Sequence, residues 1–123
     1  MLSSIDKLYD YHQRLSKVQI ENIDGVKLLK KHNKENVFAY LDPPYHQDTR
    51  SKARYKVDFT NEQQTELIDF LLESKQKILL SGYRCEEYKR LEDDGWIVED
   101  FEVKVTKKGK GDSKIESLWR NYE

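Results

Sequence analysis

A chain of 123 residues with 37% charged side chains, 22 basic against 23 acidic, has room for one domain with a modest core, and its near-neutral total selects no partner. No apolar run approaches the ~20 residues of a membrane span, and the opening MLSSIDKLYD lacks the apolar core of a signal peptide. The single cysteine, Cys85, excludes an intrachain disulfide; a cytoplasmic chain with no membrane partner is expected, and two acids beside the thiol in GYRCEEY disfavour a catalytic thiolate.

Ile5, Leu8, Tyr9, His12 and Leu15 recur at helical spacing and predict a helix over residues 4 to 15. VQIEN (18–22) reads as a short strand, and GVKLLKKH (25–32) as a helix with Val26 and Leu29 on its apolar side. VFAYLD is the second strand. The polar stretch 46–59 follows, and its 14 residues exceed an ordinary connection, which points to a functional or mobile loop. Thr60 and Gln63 match a capping box ahead of a helix over about 61 to 74, with Leu67, Ile68, Leu71 and Leu72 as its stripe. KILLSG (77–82) is a third, buried strand, EEYKRLEDD a helix, and Gly95 its C-terminal cap. WIVEDFEVKVT (96–106) and IESLWRNY (115–122) read as strands joined by a glycine-containing reversal. The order αβαβαβαββ predicts an α/β fold with a mostly parallel sheet and a C-terminal antiparallel hairpin, in a single domain spanning 1–123.

Chemistry concentrates where the second strand stops. Both prolines of the chain stand together in DPPY, so Asp42, Pro43, Pro44 and Tyr45 form a stiff extended segment that ends the strand. Asp42 therefore sits at a strand's carboxyl end, where open α/β sheets bind ligands, although a capped Pro-Pro turn gives the same local pattern. An ionised aspartate only accepts hydrogen bonds, and Pro43 offers a carbonyl without a donor. Two adjacent acceptors on a rigid segment can take both hydrogens of an aromatic amine, favour a tetrahedral nitrogen and localise its lone pair for attack on an electrophile. The Tyr45 ring can stack on the base that carries the amine, which partly offsets the cost of extruding that base from a duplex.

DPPY after an apolar strand resembles the motif of amino-group DNA methyltransferases, and its setting resembles the Dam-like class of DNA adenine-N6 methyltransferases. IENIDGVKLLKKH, FAYLDPPYHQ, the YKVDFT segment, ILLSGY and ESLWRNY carry the resemblance in that order along nearly the whole chain. It implies a three-layer Rossmann-like methyltransferase fold and transfer of a methyl group from S-adenosylmethionine to the adenine 6-amino group in double-stranded DNA. Carried over to this chain, Asp42 and the Pro43 carbonyl grip the amine and Tyr45 stacks on the flipped base. Asp24 matches the acid that contacts the cofactor's adenine ring, a role compatible with capping the helix that follows it. Ser81, Gly82 and Tyr83 match the end of the adjacent strand that lines the base pocket, although Ser-Gly is also ordinary turn chemistry.

Basic residues add independent support for a polyanion. Arg50, Lys52, Arg54 and Lys56 lie in the loop after DPPY, and Lys107, Lys108 and Lys110 in the terminal hairpin; the alternative is a solvated charge run. His46 and Asp48 are too few to imply a metal. Against the family's pattern, no Phe-x-Gly-x-Gly turn occurs among the five glycines, nor does a segment matching the family's DNA target-recognition region. The resemblance is thus to the carboxyl-terminal part of the catalytic domain. Expected spatial order is VQIEN, two strands absent from the chain, then VFAYLD, KILLSG, IESLWRNY and WIVEDFEVKVT. Weak or absent cofactor binding by the chain alone is expected, with an amino-terminal methyltransferase half or a second copy as partner. A non-catalytic DNA-binding remnant, or a subunit of a split methyltransferase, is the alternative.

Overall fold

The computed structural model describes residues 4–44, 60–107 and 110–123. Helix α1 (Ser4–Leu15) precedes α2 (Gly25–Lys31), β1 (Phe38–Leu41), α3 (Asn61–Glu73), β2 (Lys77–Gly82), α4 (Glu86–Asp93) and the long hairpin β3 (Ile97–Lys107) and β4 (Lys110–Arg120). Local chemistry explains the boundaries. Thr60 Oγ1 accepts the Gln63 amide and the Gln63 side chain accepts the Thr60 amide, so the expected capping box starts α3. Gly95 follows α4 with φ of 93°, a left-handed conformation that a Cβ would strain, and it turns the chain into β3.

The four strands pair in the order β1-β2-β4-β3, which is the expected order of their segments. The sheet is mixed, however, rather than mostly parallel. Only β1 with β2 is parallel; β4 inserts between β2 and β3 and makes antiparallel ladders on both sides. Strand β3 still runs in the direction of β1 and β2, because two antiparallel steps restore the orientation. VQIEN is not a strand either. Residues 18–22 are irregular, and Ile20 is 85% exposed. A strand needs a neighbouring strand for its backbone groups, and among the described residues none pairs with this stretch, whose Val18 amide bonds back to the Leu15 carbonyl at 2.9 Å. Glu21 instead binds Lys31 of α2 at 3.1 Å and Gln19 at 2.8 Å, and the lysine holds its carboxyl below the ordinary glutamate range.

Alternation along the strands divides the sheet into two unlike faces. Ile78, Leu80 and Trp119 are fully buried, and with Val26, Leu29, Leu67, Ile68, Leu71 and Leu91 they form one core under α2, α3 and α4. Ala39, Leu41 and Val98 pack on its margin. Trp119 meets Tyr88 edge to face at 4.9 Å and donates its indole N–H to Glu92 at 3.1 Å, so its polar group is satisfied. The other face leaves Phe38, Tyr40, Ile97, Phe101 and Val103 exposed. The expected third layer is therefore not built by α2, α3 or α4, and Leu8, Tyr9 and Leu15 of α1 are themselves exposed.

Candidate active site

Strand β1 ends at Leu41, one residue before the Asp-Pro-Pro segment, and its parallel neighbour β2 ends level with it, since Leu41 pairs with Leu80. Asp42 therefore emerges at the carboxyl edge of a parallel strand pair, as its sequence setting implies. Beside it opens a cleft of about 430 Å³. Val26, Leu29, Leu41 and Leu67 make its apolar wall with Pro43 and Pro44, while Asp24, Asp42, Tyr40 and Gln63 supply polar groups around it. Both sequence-selected acids thus line one apolar space. Asp24 reaches it as the N-cap of α2, where its Oδ1 accepts the Lys27 amide at 3.0 Å. Capping and ligand contact are compatible because a carboxylate has a second oxygen.

Ser81 is also present, but its hydroxyl is directed to the first acid. Ser81 Oγ lies 3.0 Å from Asp42 Oδ1, 3.1 Å from the Leu41 carbonyl and 3.2 Å from the Tyr40 hydroxyl. Behind it, Gly82 faces the core, where a Cβ would stand 3.0 Å from the Tyr88 ring and press on it. The Tyr88 hydroxyl accepts the Gln64 amide at 2.7 Å, and burial pushes this phenol far above the ordinary tyrosine range, so it stays neutral.

Tyr83 is not brought to the Asp24–Asp42 cleft. It lines a separate recess with Arg84, Asp100, Lys114 and Ile115, with the Lys114 ammonium 5.2 Å from its ring centre. Arg84 forks onto Asp100 at 3.0 Å and Glu92 at 2.7 Å, tying the start of α4 to the hairpin. Arg84, assisted by the Ser117 hydroxyl, holds the Asp100 carboxyl below its usual range. Cys85 is half-buried, and burial pushes its thiol up to about 11, with Glu87 acting in the same direction. A thiolate nucleophile at neutral pH is thereby disfavoured.

Tyr45 and the basic residues Arg50, Lys52, Arg54, Lys56 and Lys108 lie outside the described residues. For Lys107 and Lys110 the backbone is described, and it pairs them at the tip of the hairpin. Gly82, at the end of β2, pairs with Ser117, which pairs with Asp100; β3 then continues to Lys107, past the edge where Asp42 emerges. Among the described residues no group of three or more His, Cys, Asp or Glu side chains is arranged to hold a metal, and no helix is long and apolar enough to cross a membrane.

Sequence reasoning did not place Tyr40 or Gln63 at the cleft. Period-two alternation places Tyr40 on the same side as Asp42, which is a readable signal. The position of Gln63 depends on how α3 docks.

Residues 2–108 match the family model described as D12 class N6 adenine-specific DNA methyltransferase. No curated protein and no solved structure gives a significant match.

Proposed function

The chain belongs to the D12 class of N6 adenine-specific DNA methyltransferases, and we propose that it supplies the amine-gripping part of a site that methylates adenine in double-stranded DNA. The observation that carries this reading is the meeting of Asp42 and Asp24 around one apolar cleft at the end of a parallel strand pair. In this reading Asp42 and the Pro43 carbonyl accept the two hydrogens of the adenine 6-amino group. Their hold strengthens as the nitrogen becomes tetrahedral, so it acts on the transition state more than on binding. Pro43 and Pro44 stiffen the backbone that carries the two acceptors, because each ring fixes its own backbone angle and restricts the residue before it. Tyr45, the next residue, is assigned the stacking role against the extruded base, and Tyr83 a place nearer the DNA than the amine.

S-adenosylmethionine, when bound, supplies an electrophilic methyl group. The cleft suits the adenine end of that molecule: its apolar wall accepts a flat ring, and Asp24 offers a carboxylate to the ring's amino group. Its methionine end has no Phe-x-Gly-x-Gly turn in these 123 residues to hold it. In this reading the cofactor is held together with a segment that contributes such a turn, and these residues by themselves bind it weakly or not at all. Arg50, Lys52, Arg54 and Lys56, with Lys107, Lys108 and Lys110 at the hairpin, contact the DNA phosphates. Their contribution weakens as salt rises.

The test is complementation with the amino-terminal half of a Dam-like enzyme, followed by methyl transfer to adenine in duplex DNA. Activity that appears only with both halves and is lost in Asp42→Asn supports the reading. Normal methylation by Asp42→Asn would reduce the DPPY segment to a rigid strand end.

A further inference from the structure

Three hydroxyl-bearing or acidic side chains share the open face of the sheet where β1 and β2 end. Tyr40 pairs across the ladder with Leu79, so Ser81, two residues further along β2, lies diagonal to it on the same side. Asp42 follows Tyr40 by two residues and returns to that side. Ser81 Oγ sits at the centre of the group, with Tyr40 Oη at 3.2 Å, Asp42 Oδ1 at 3.0 Å and the Leu41 carbonyl at 3.1 Å.

Counting hydrogens decides the direction of these contacts. A serine hydroxyl has one hydrogen and two lone pairs. Carbonyl and carboxylate can only accept, so the Ser81 hydrogen goes to one of them, and the charged acceptor makes the stronger bond. Tyr40 is then the donor to a Ser81 lone pair. If Ser81 donated to Tyr40 instead, neither acceptor would receive a hydrogen from it. The order Tyr40 to Ser81 to Asp42 leaves both hydroxyl hydrogens used. Among the described residues the bond to Ser81 is the one that Asp42 makes, and it occupies Oδ1 alone.

From this geometry we infer that Tyr40 and Ser81 are positioning residues that act on Asp42 through a hydroxyl relay. Ser81 holds Oδ1 and thereby sets the plane of the carboxylate, so that Oδ2 presents a lone pair to the incoming amine. Tyr40 keeps the Ser81 hydrogen pointed at the carboxylate. A carboxylate that must strengthen its grip during the reaction gains from being oriented beforehand, since reorientation would otherwise add to the barrier. Neither hydroxyl touches substrate in this scheme. Ser81 thus acts behind the acid and does not line the base pocket. The task given to Asp42 rests on the function proposed above, whereas the relay itself rests on geometry.

The two can be tested apart. In the 123-residue chain labelled with ¹³C at aspartate carboxyl carbons, the Asp42 resonance is identified by its loss in Asp42→Asn. Ser81→Ala should displace it, Ser81→Thr should restore it, and Tyr40→Phe should displace it in the direction of Ser81→Ala. A resonance indifferent to Tyr40→Phe overturns the relay. In the complemented enzyme, Ser81→Ala should lower kcat about tenfold and Tyr40→Phe about threefold, with KM for DNA within about twofold of the parent. Both losses should nearly vanish in an Asp42→Ala background, because no acceptor is left to orient. Losses that multiply with Asp42→Ala also overturn the relay. Displaced resonances in a complex that never methylates adenine would leave the relay standing and remove the reaction assigned to Asp42.

Discussion

Leu80 and Ser81 are neighbours in β2, yet they belong to opposite sides of the sheet and to different kinds of structure. Leu80 is fully buried with Ile78 and Trp119 under α2, α3 and α4, whereas Ser81 shares the exposed side with Tyr40 and Asp42. On the covered side the governing quantity is volume. Even Gly82 is set by space, since a Cβ there would press on Tyr88. On the open side the governing quantity is direction: hydroxyl and carboxylate groups must point at one another in water, where each bond contributes little to stability. One strand can serve both ends because alternate residues do not share neighbours. Damage to one face should therefore appear in unfolding and damage to the other in chemistry.

Trp119→Ala is the strongest challenge to the covered side. It should cost about 3–5 kcal/mol in urea unfolding, since a fully buried indole and its edge contact with Tyr88 are both lost. A much smaller loss would mean that the two faces differ less than their burial implies. Asp42→Ala should remove about 3–4 kcal/mol of transition-state stabilisation in the complemented methylation assay, a hundredfold or more in rate. The same variant should shift unfolding by no more than about 0.5 kcal/mol, as expected of an exposed site. An equal fall in stability and rate would blur the division. Tyr88→Phe strands the buried Gln64 amide, which now donates to the phenol at 2.7 Å, and should cost about 1–3 kcal/mol in unfolding.

Asp24→Ala joins the two categories. Loss of the bond to the Lys27 amide should cost about 1 kcal/mol of stability, and loss of the carboxylate at the cleft should also weaken cofactor binding in the complemented enzyme, measured by titration calorimetry. Asp24→Asn keeps a capping oxygen, so it should restore the stability and not the binding. The smallest effect concerns Cys85. Because burial keeps its thiol protonated until pH nears about 11, alkylation by iodoacetamide should be slow at pH 8 and accelerate as pH rises towards that value; rapid reaction at pH 8 would show a more open environment at the foot of α4.

Local patterns were legible wherever a side chain's own chemistry decides the outcome. The Thr60–Gln63 capping box, the turn at Gly95, the helical stripe of α3 and the end of β1 at Asp42 all follow from interactions within a few residues. Asp24 and Asp42 were recognisable as a candidate pair through their motifs, but nothing local showed that they share a cleft. The same limit applies to VQIEN. Its residues favour a strand, yet a strand is a relation between two segments, and without a neighbour the stretch remains irregular with Ile20 in solvent.

The amino-acid sequence by itself determined the helix caps, the stiff Asp-Pro-Pro segment and the alternation that puts Tyr40 and Asp42 on one side of β1. These depend on backbone angles and on hydrogen bonds spanning a few residues. Tertiary structure alone decided that β4 enters between β2 and β3, that Gln63 reaches the cleft, that Tyr83 faces a different recess and that Ser81 meets Asp42. Ser81 and Asp42 are 39 residues apart in the chain, and the 3.0 Å between them exists because the parallel register sets Leu41 against Leu80. Register is a collective choice of whole strands burying Ile78 and Leu80 on one side, so no single residue could announce it.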